Sequence, residues 1–156
     1  MPLGLALGVG GLVAIAMLRG PVELDPDSPE GTVQEYLVAL DEQRWDDAVA
    51  VIHPDWLGAC DSADLASFTP EGFTAELGHE GAFGGGVTGM GEVIVDEGGE
   101  PLPEPDTFVD VTITHGGQGG LGSNWSEFVT FNLVDDGEFW WLVNDPWPYF
   151  VWNCRG

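Results

Sequence analysis

The sequence predicts an α+β fold: N-terminal helices packed on a strongly curved, cone-like antiparallel sheet, preceded by one apolar N-terminal helix. Three observations carry that prediction. Apolar residues recur at helical spacing between Val33 and Ile52. The period switches to two from about Glu92 onward. A late segment, Glu138–Asn144, is apolar on both of its faces. Helices first and strands afterwards describe an α+β domain. A doubly apolar strand is expected at the centre of the sheet, with helices covering the concave side.

The chain has 156 residues, enough for one domain with an appendage. Residues 1–20 read as a transmembrane anchor or an uncleaved signal. Pro2–Leu18 carries no charge, and at about 1.5 Å per residue it makes a helix of roughly 25 Å, slightly short of the ~30 Å hydrocarbon layer. Gly4, Gly8, Gly10 and Gly11 suit a packed soluble helix poorly, since each costs about 1 kcal/mol relative to alanine. No basic stretch precedes the run, as a secretory signal normally requires. Arg19, just after it, favours a cytoplasmic location for the rest of the chain by the positive-inside rule. No cysteine comes directly after the run, which excludes a lipoprotein anchor.

Residues 21–27 form an acidic linker, and residues 28–156 form the domain. Ser28-Pro29-Glu30 opens a first helix, with an N-cap, a proline at the first position and an acid in the first turn. Val33, Tyr36, Leu37 and Leu40 form its inward face. A second helix is expected from about Arg44 to Ile52, facing inward through Trp45, Ala48, Val49 and Ile52, and ended by His53-Pro54. Thr69-Pro70-Glu71 repeats the start signal, predicting a third helix with Phe73 and Leu77 inward. Strands are expected next at Glu92–Asp96, Thr107–His115, Trp125–Val134 and Glu138–Asn144, the last two joined by an Asp135-Asp136-Gly137 turn.

Cys60 and Cys154 fit no metal-ligand spacing. Paired, they would close a loop worth up to ~4–5 kcal/mol in the chain-entropy model and would tie down a C-terminus prone to fray. Such a bond persists outside the cytoplasm; two buried thiols are the alternative. Asn124-Trp125-Ser126 matches an N-glycosylation acceptor. Together with the apolar run, these features place the domain on the extracytoplasmic side of a single-pass anchor, despite Arg19.

The segment Ser28–Trp56 (SPEGTVQEYLVALDEQRWDDAVAVIHPDW) resembles the first helical hairpin of the nuclear transport factor 2-like superfamily. The Trp-rich EFWWLVND at Glu138–Asp145 resembles that family's last strand. The resemblance covers most of Ser28–Asp145 and implies a cone-shaped fold with a pocket between sheet and helices, lined here by Tyr36, Phe108, Phe128 and Trp140. Family members include ketosteroid isomerase, scytalone dehydratase, limonene epoxide hydrolase and catalytically silent domains, so the resemblance bears on fold more than function. In the isomerases the tyrosine of the first helix donates to a developing enolate, and Tyr36 occupies the matching place. Asp110 is the candidate in-pocket acid. The carboxylate base expected after the second helix is missing from Asp55–Asp61.

Other motifs point away from chemistry. His53, His79 and His115 are scattered; His53 is expected at a helix C-terminus, and His79-Glu80 lacks the second histidine of a zinc helix. The family's dehydratases use paired histidines, for which His79 and His115 would be the pair. Gly84–Gly89 and Gly117–Gly122 match G-x-G-x-x-G, but the first is expected after a helix and the second between strands, not between a strand and a helix. Asp25–Pro29 has proline where a calcium ligand belongs, with Gly31 one place late. No basic residue adjoins Cys60 to activate it. No metal or cofactor is implied.

The 27 acidic residues against 3 arginines and no lysine give a formal net charge of −24. That balance excludes nucleic acid as a partner, because phosphate neutralisation needs clustered cations. It also disfavours an anionic membrane surface. With 44% hydrophobic residues the chain is not disordered. An acidic surface that stays hydrated where salt screens repulsion fits a halophilic host, or one with an acid-rich proteome. The function expected is a membrane-anchored binding or interaction domain without catalysis, held by residues 2–18. A small apolar ligand, a protein partner or a second copy are its partners; the alternative is a small-molecule isomerase or dehydratase using Tyr36 and Asp110.

Overall fold

The computed structural model describes residues 24–82, 99–116 and 124–154. The apolar run Pro2–Leu18, the start of the linker, the expected strand Glu92–Asp96 and both glycine-rich motifs lie outside these residues. No helix among the described residues is long and apolar enough to cross a membrane.

Helix α1 spans Pro29–Asp41 and begins as the sequence indicates. The Ser28 hydroxyl accepts from the Gly31 N–H at 3.0 Å, and Pro29 fills the first position. Gly31 has a packing reason: a Cβ there would lie 2.0 Å from the Asp25 carbonyl oxygen, because the preceding turn folds back on the helix. Val33, Tyr36, Leu37 and Leu40 are all buried against the sheet and the next helix.

Helix α2 covers Trp45–Ala50, shorter than the stretch to Ile52 that apolar spacing suggests. Val51–His53 leaves the helix to pair with the last strand: Leu142 N–H donates to the Val51 carbonyl at 2.9 Å, and His53 N–H to the Leu142 carbonyl at 2.8 Å. His53 is therefore the N-cap of a short helix α3, Pro54–Leu57, and not a C-terminal residue. Its Nδ1 accepts from the Asp55 N–H at 3.3 Å. Pro54 starts a helix here as well as ending one.

Helix α4, Ser62–Phe68, has no counterpart in the sequence-based expectation. Its start signal is a capping box without serine or glutamate: Asp61 accepts from the Ala63 and Asp64 N–H groups, and Asp64 accepts from the Asp61 N–H. The helix expected after Thr69-Pro70-Glu71 is instead strand β1, Phe73–Ala82. Residues four apart share a face in both a helix and a strand, so Phe73 and Leu77 point inward either way. Ala75 between them is also buried, which only a period of two explains. Thr69 ends α4, and Gly72, at φ +70°, turns the chain into the strand.

Strands β2 (Thr107–His115), β3 (Trp125–Asp135) and β4 (Trp140–Val143) complete an antiparallel sheet of order β1-β2-β3-β4. The inner face carries Val109, Val111, Ile113, Val129, Phe131, Leu133 and Leu142. Against it packs α1, with the Tyr36 and Phe131 rings edge to face at 5.9 Å.

The doubly apolar strand is the last of the four rather than a central one. Its apolar outer side is explained by a second cluster, in which Trp56, Leu102 and Val143 are buried together beside Val134. The Trp56 indole donates to the Pro103 carbonyl at 3.1 Å and fixes that cover. Pairing with Val51–His53 closes the free edge of β4, which would otherwise offer unpaired backbone groups.

The chain then turns back along the core. Asp145 accepts from the Val151 N–H at 2.8 Å, opening helix α5, Val151–Cys154. Cys154 is disulfide-bonded to Cys60 with Cα atoms 5.6 Å apart, across a sequence separation of 94.

Candidate functional site

The alternation along β2 decides where the expected site residues go. Its odd-numbered residues from Thr107 to Ile113 are the buried row, so Phe108 and Asp110 face the other way. Phe108 lies opposite Asn132, Asp110 opposite Thr130 and Thr112 opposite Phe128, which places all of these on the outer face. Phe128 is 89% exposed there, and Thr130 Oγ1 donates to Asp110 Oδ1 at 2.6 Å. Tyr36 and Trp140 lie on the inner side, packed with the main core. The sheet thus separates Tyr36 from Asp110, and the four expected lining residues fall two on each side. Both rows of β2 carry apolar residues, so the sequence pattern does not say which one faces the helices.

Tyr36 is fully buried, and its hydroxyl donates to the Trp147 carbonyl at 2.8 Å. Burial, reinforced by the nearby Asp145 carboxylate, pushes its pKa well above the usual tyrosine value. The phenol holds its proton and holds the C-terminal segment to α1.

The structure brings together a different set. At the end of the sheet where β2 finishes, His115 lies opposite Phe73 on β1 and Trp125 on β3, and Ile113 lies opposite Glu127. Antiparallel pairing therefore places His115, Glu127, Trp125 and Phe73 on the inner face together. The His115 and Trp125 rings stack with centroids 3.8 Å apart and planes at 11°. His115 Nε2 is 2.7 Å from Glu127 Oε1, and the same oxygen accepts from the Trp147 indole at 3.0 Å. Trp147 in turn meets Phe73 edge-on at 4.8 Å. Tyr149 stands beside this group, its pKa raised by partial burial and then by Glu127 and Asp145.

An imidazole bonded to a carboxylate within a ring of aromatic side chains can hold a polar ligand or relay a proton. Sequence reasoning missed this cluster because Glu127 and Trp147 become neighbours of His115 only once strand register and the C-terminal turn are known. Pairing outward from the loop between β2 and β3 was the signal available. The backbone of His79 lies six residues beyond Phe73, the partner of His115, along β1, or roughly 20 Å away.

A second concavity lies at the opposite, hairpin end of β4. It is a cleft of about 320 Å³ between α1, the turn after α2 and β4. It is lined by the apolar residues Val51, Phe139, Trp140 and Trp141 and by the acidic residues Asp27, Glu35 and Glu138.

Among the described residues, one group of three metal-type donors lies within 4.8 Å: Cys60, Asp64 and Cys154. Its two sulfurs are joined in the disulfide. The glycine-rich segment Gly84–Gly89 comes after strand β1, not after the helix expected before it. No protein-family model, no curated protein and no solved structure matches the chain.

Proposed function

We propose that this chain is a membrane-anchored binding domain on the extracytoplasmic side, tethered by residues 2–18 and acting without catalysis. The fold we assign to it is the nuclear transport factor 2-like cone. Support for that assignment is the α1–α2 hairpin over the residues that resemble the family, followed by an antiparallel meander ending in a Trp-rich strand.

The observation that carries the functional reading is the Cys60–Cys154 disulfide. A bond of this kind lasts where thiols are not kept reduced. It also fixes α5, whose Trp152 is half exposed with its ring edge-on to Trp56. Large aromatic side chains exposed on a chain of charge −24 are costly for solubility alone, and a binding surface accounts for them.

The test is thiol alkylation of the full chain in its native membranes, read by mass with and without prior reduction. Two cysteines that alkylate only after reduction are expected. Two thiols free before reduction would overturn the extracytoplasmic placement.

A second reading, a small-molecule isomerase or dehydratase, draws on the His115–Glu127 contact and would run on those residues in place of Tyr36 and Asp110. It requires proton exchange into small ketones that the parent catalyses and His115→Ala does not.

A further inference from the structure

The composition of the cleft at Trp140 selects the charge of its occupant. We infer that the cleft binds a small alkylated ammonium cation; this deepens the binding-domain reading and rests on it. The volume of about 320 Å³ suits a molecule of that size. Three aromatic residues, Phe139, Trp140 and Trp141, line it, and indole is the side chain whose face attracts a cation most strongly. Trp141 is held in place: its indole donates to Asp136 Oδ2 at 2.7 Å, and its ring meets Phe139 edge-on at 6.0 Å. Trp141 is therefore positioned before a ligand arrives.

Three acidic residues line the cleft from three separate pieces of chain: Asp27 ahead of α1, Glu35 within α1 and Glu138 in the hairpin before β4. Among the described residues, no ion pair reaches any of them, and no arginine lines the cleft. Arg44, the one described arginine, is engaged by Glu42 and Asp47. An anion would meet uncompensated repulsion. A calcium ion would need six or more converging oxygens, whereas three of the lining residues here are aromatic. A quaternary ammonium needs no hydrogen-bond acceptor and presents methyl groups to the rings. Its charge is drawn by carboxylates that need only be near. Sodium ions compete poorly for such a surface because they keep their water.

The experiment titrates the full chain, in a maltoside detergent free of ammonium groups, with choline chloride. Binding is read by tryptophan fluorescence and calorimetry at ~0.15 M and ~2 M NaCl. The neutral carbon isostere 3,3-dimethylbutan-1-ol separates charge from shape. Saturable choline binding with a Kd below about 10 mM is expected, with the isostere at least about tenfold weaker. The double variant Glu35→Gln/Glu138→Gln and the variant Phe139→Leu should each weaken choline by about threefold or more. All three side chains are exposed, so folding is not at stake, and thermal melts matching the parent confirm it. Phe128→Leu, on the outer face, should bind as the parent does.

Absence of saturation, equal binding of the isostere, or variants that bind like the parent would each overturn the cation site. Failure here with the cysteines still bonded in native membranes would leave the tethered-domain reading standing. Free thiols with choline still bound would do the reverse.

Discussion

Removing one oxygen atom tests whether Tyr36 is a structural or a catalytic residue. In Tyr36→Phe the ring keeps its edge contact with Phe131 at 5.9 Å, and only the donor to the Trp147 carbonyl, 2.8 Å away, is lost. Tyr36 is completely buried and Trp147 nearly so, so water does not readily replace that donor. A buried acceptor left without its partner costs about 1–3 kcal/mol. For a domain between ~100 and ~150 residues each kcal/mol moves Tm by roughly 4 °C, so a fall of about 4–12 °C is expected. The variant also changes the alkaline limb. Because the folded-state pKa is raised, folded Tyr36 stays protonated while the unfolded chain ionises above pH ~10. The stability is fully present below that pH and falls as pH rises through it, by up to about 1.4 kcal/mol per unit for this group. Tyr149 has the same sign, so Tyr36→Phe removes part of the slope and not all of it. Thermal and urea unfolding by circular dichroism at pH 7 and across pH 9–11, in ~2 M NaCl to screen repulsion, gives both numbers. A loss under about 0.5 kcal/mol with an unchanged alkaline slope would refute the structural role.

Four further outcomes rest on named contacts and charges. Gly31→Ala should lower stability by about 1–3 kcal/mol, since its Cβ would sit 2.0 Å from the Asp25 carbonyl; an unchanged urea midpoint would mean that the turn before α1 moves freely. Reducing Cys60–Cys154 releases a constraint across 94 positions and should cost up to about 4.7 kcal/mol; a melt unaffected by reductant would contradict it. With a charge of −24, Tm should rise between ~0.1 M and ~2 M NaCl; no gain at high salt removes the halophile reading. The Asp136 pKa is lowered first by the Trp141 indole and then by the Glu138 and Phe139 backbone N–H groups. The hairpin's stability is therefore present above pH ~3.8 and lost as pH falls through a lower folded value. The Trp141 indole proton resonance should titrate below pH 3.8, and a midpoint at or above it would sink the assignment.

The sequence pattern located most of the secondary structure and little of the site, for one physical reason. Local signals mark where an element starts and which residues share a face; they do not say what lies opposite. Ser28-Pro29-Glu30 and Asp135-Asp136-Gly137 were legible because caps and turns are built from adjacent residues. Phe73 and Leu77 mislead because a spacing of four satisfies both periods, and Ala75 is small enough to pass as filler. Asp61 and Asp64 are hard to see as a capping box because aspartate stands where glutamate is usual. Asp110 looks like a pocket acid because Phe108 and Phe128 make its row apolar, whereas burial falls on the row through Val109 and Val111. The His115–Glu127–Trp147 contact joins three distant stretches and is written in none of them.

The acidity also has a structural share that net charge conceals. Asp25, Asp61, Asp106, Asp135, Asp136 and Asp145 each accept a hydrogen bond from a backbone N–H at a turn, a cap or a strand end. In these places aspartate does what serine or asparagine does in less acidic chains. Such carboxylates are held by the backbone and are already committed. The glutamates of the cleft differ: Glu35 and Glu138 accept no backbone hydrogen bond among the described residues and form no ion pair there. Hydration in salt alone gives no role to the aromatic residues beside these acids, of which Phe139 is exposed and Trp140 and Trp141 are half-buried. The gathering of these acids at Phe139, Trp140 and Trp141 is accounted for when a cation completes the site.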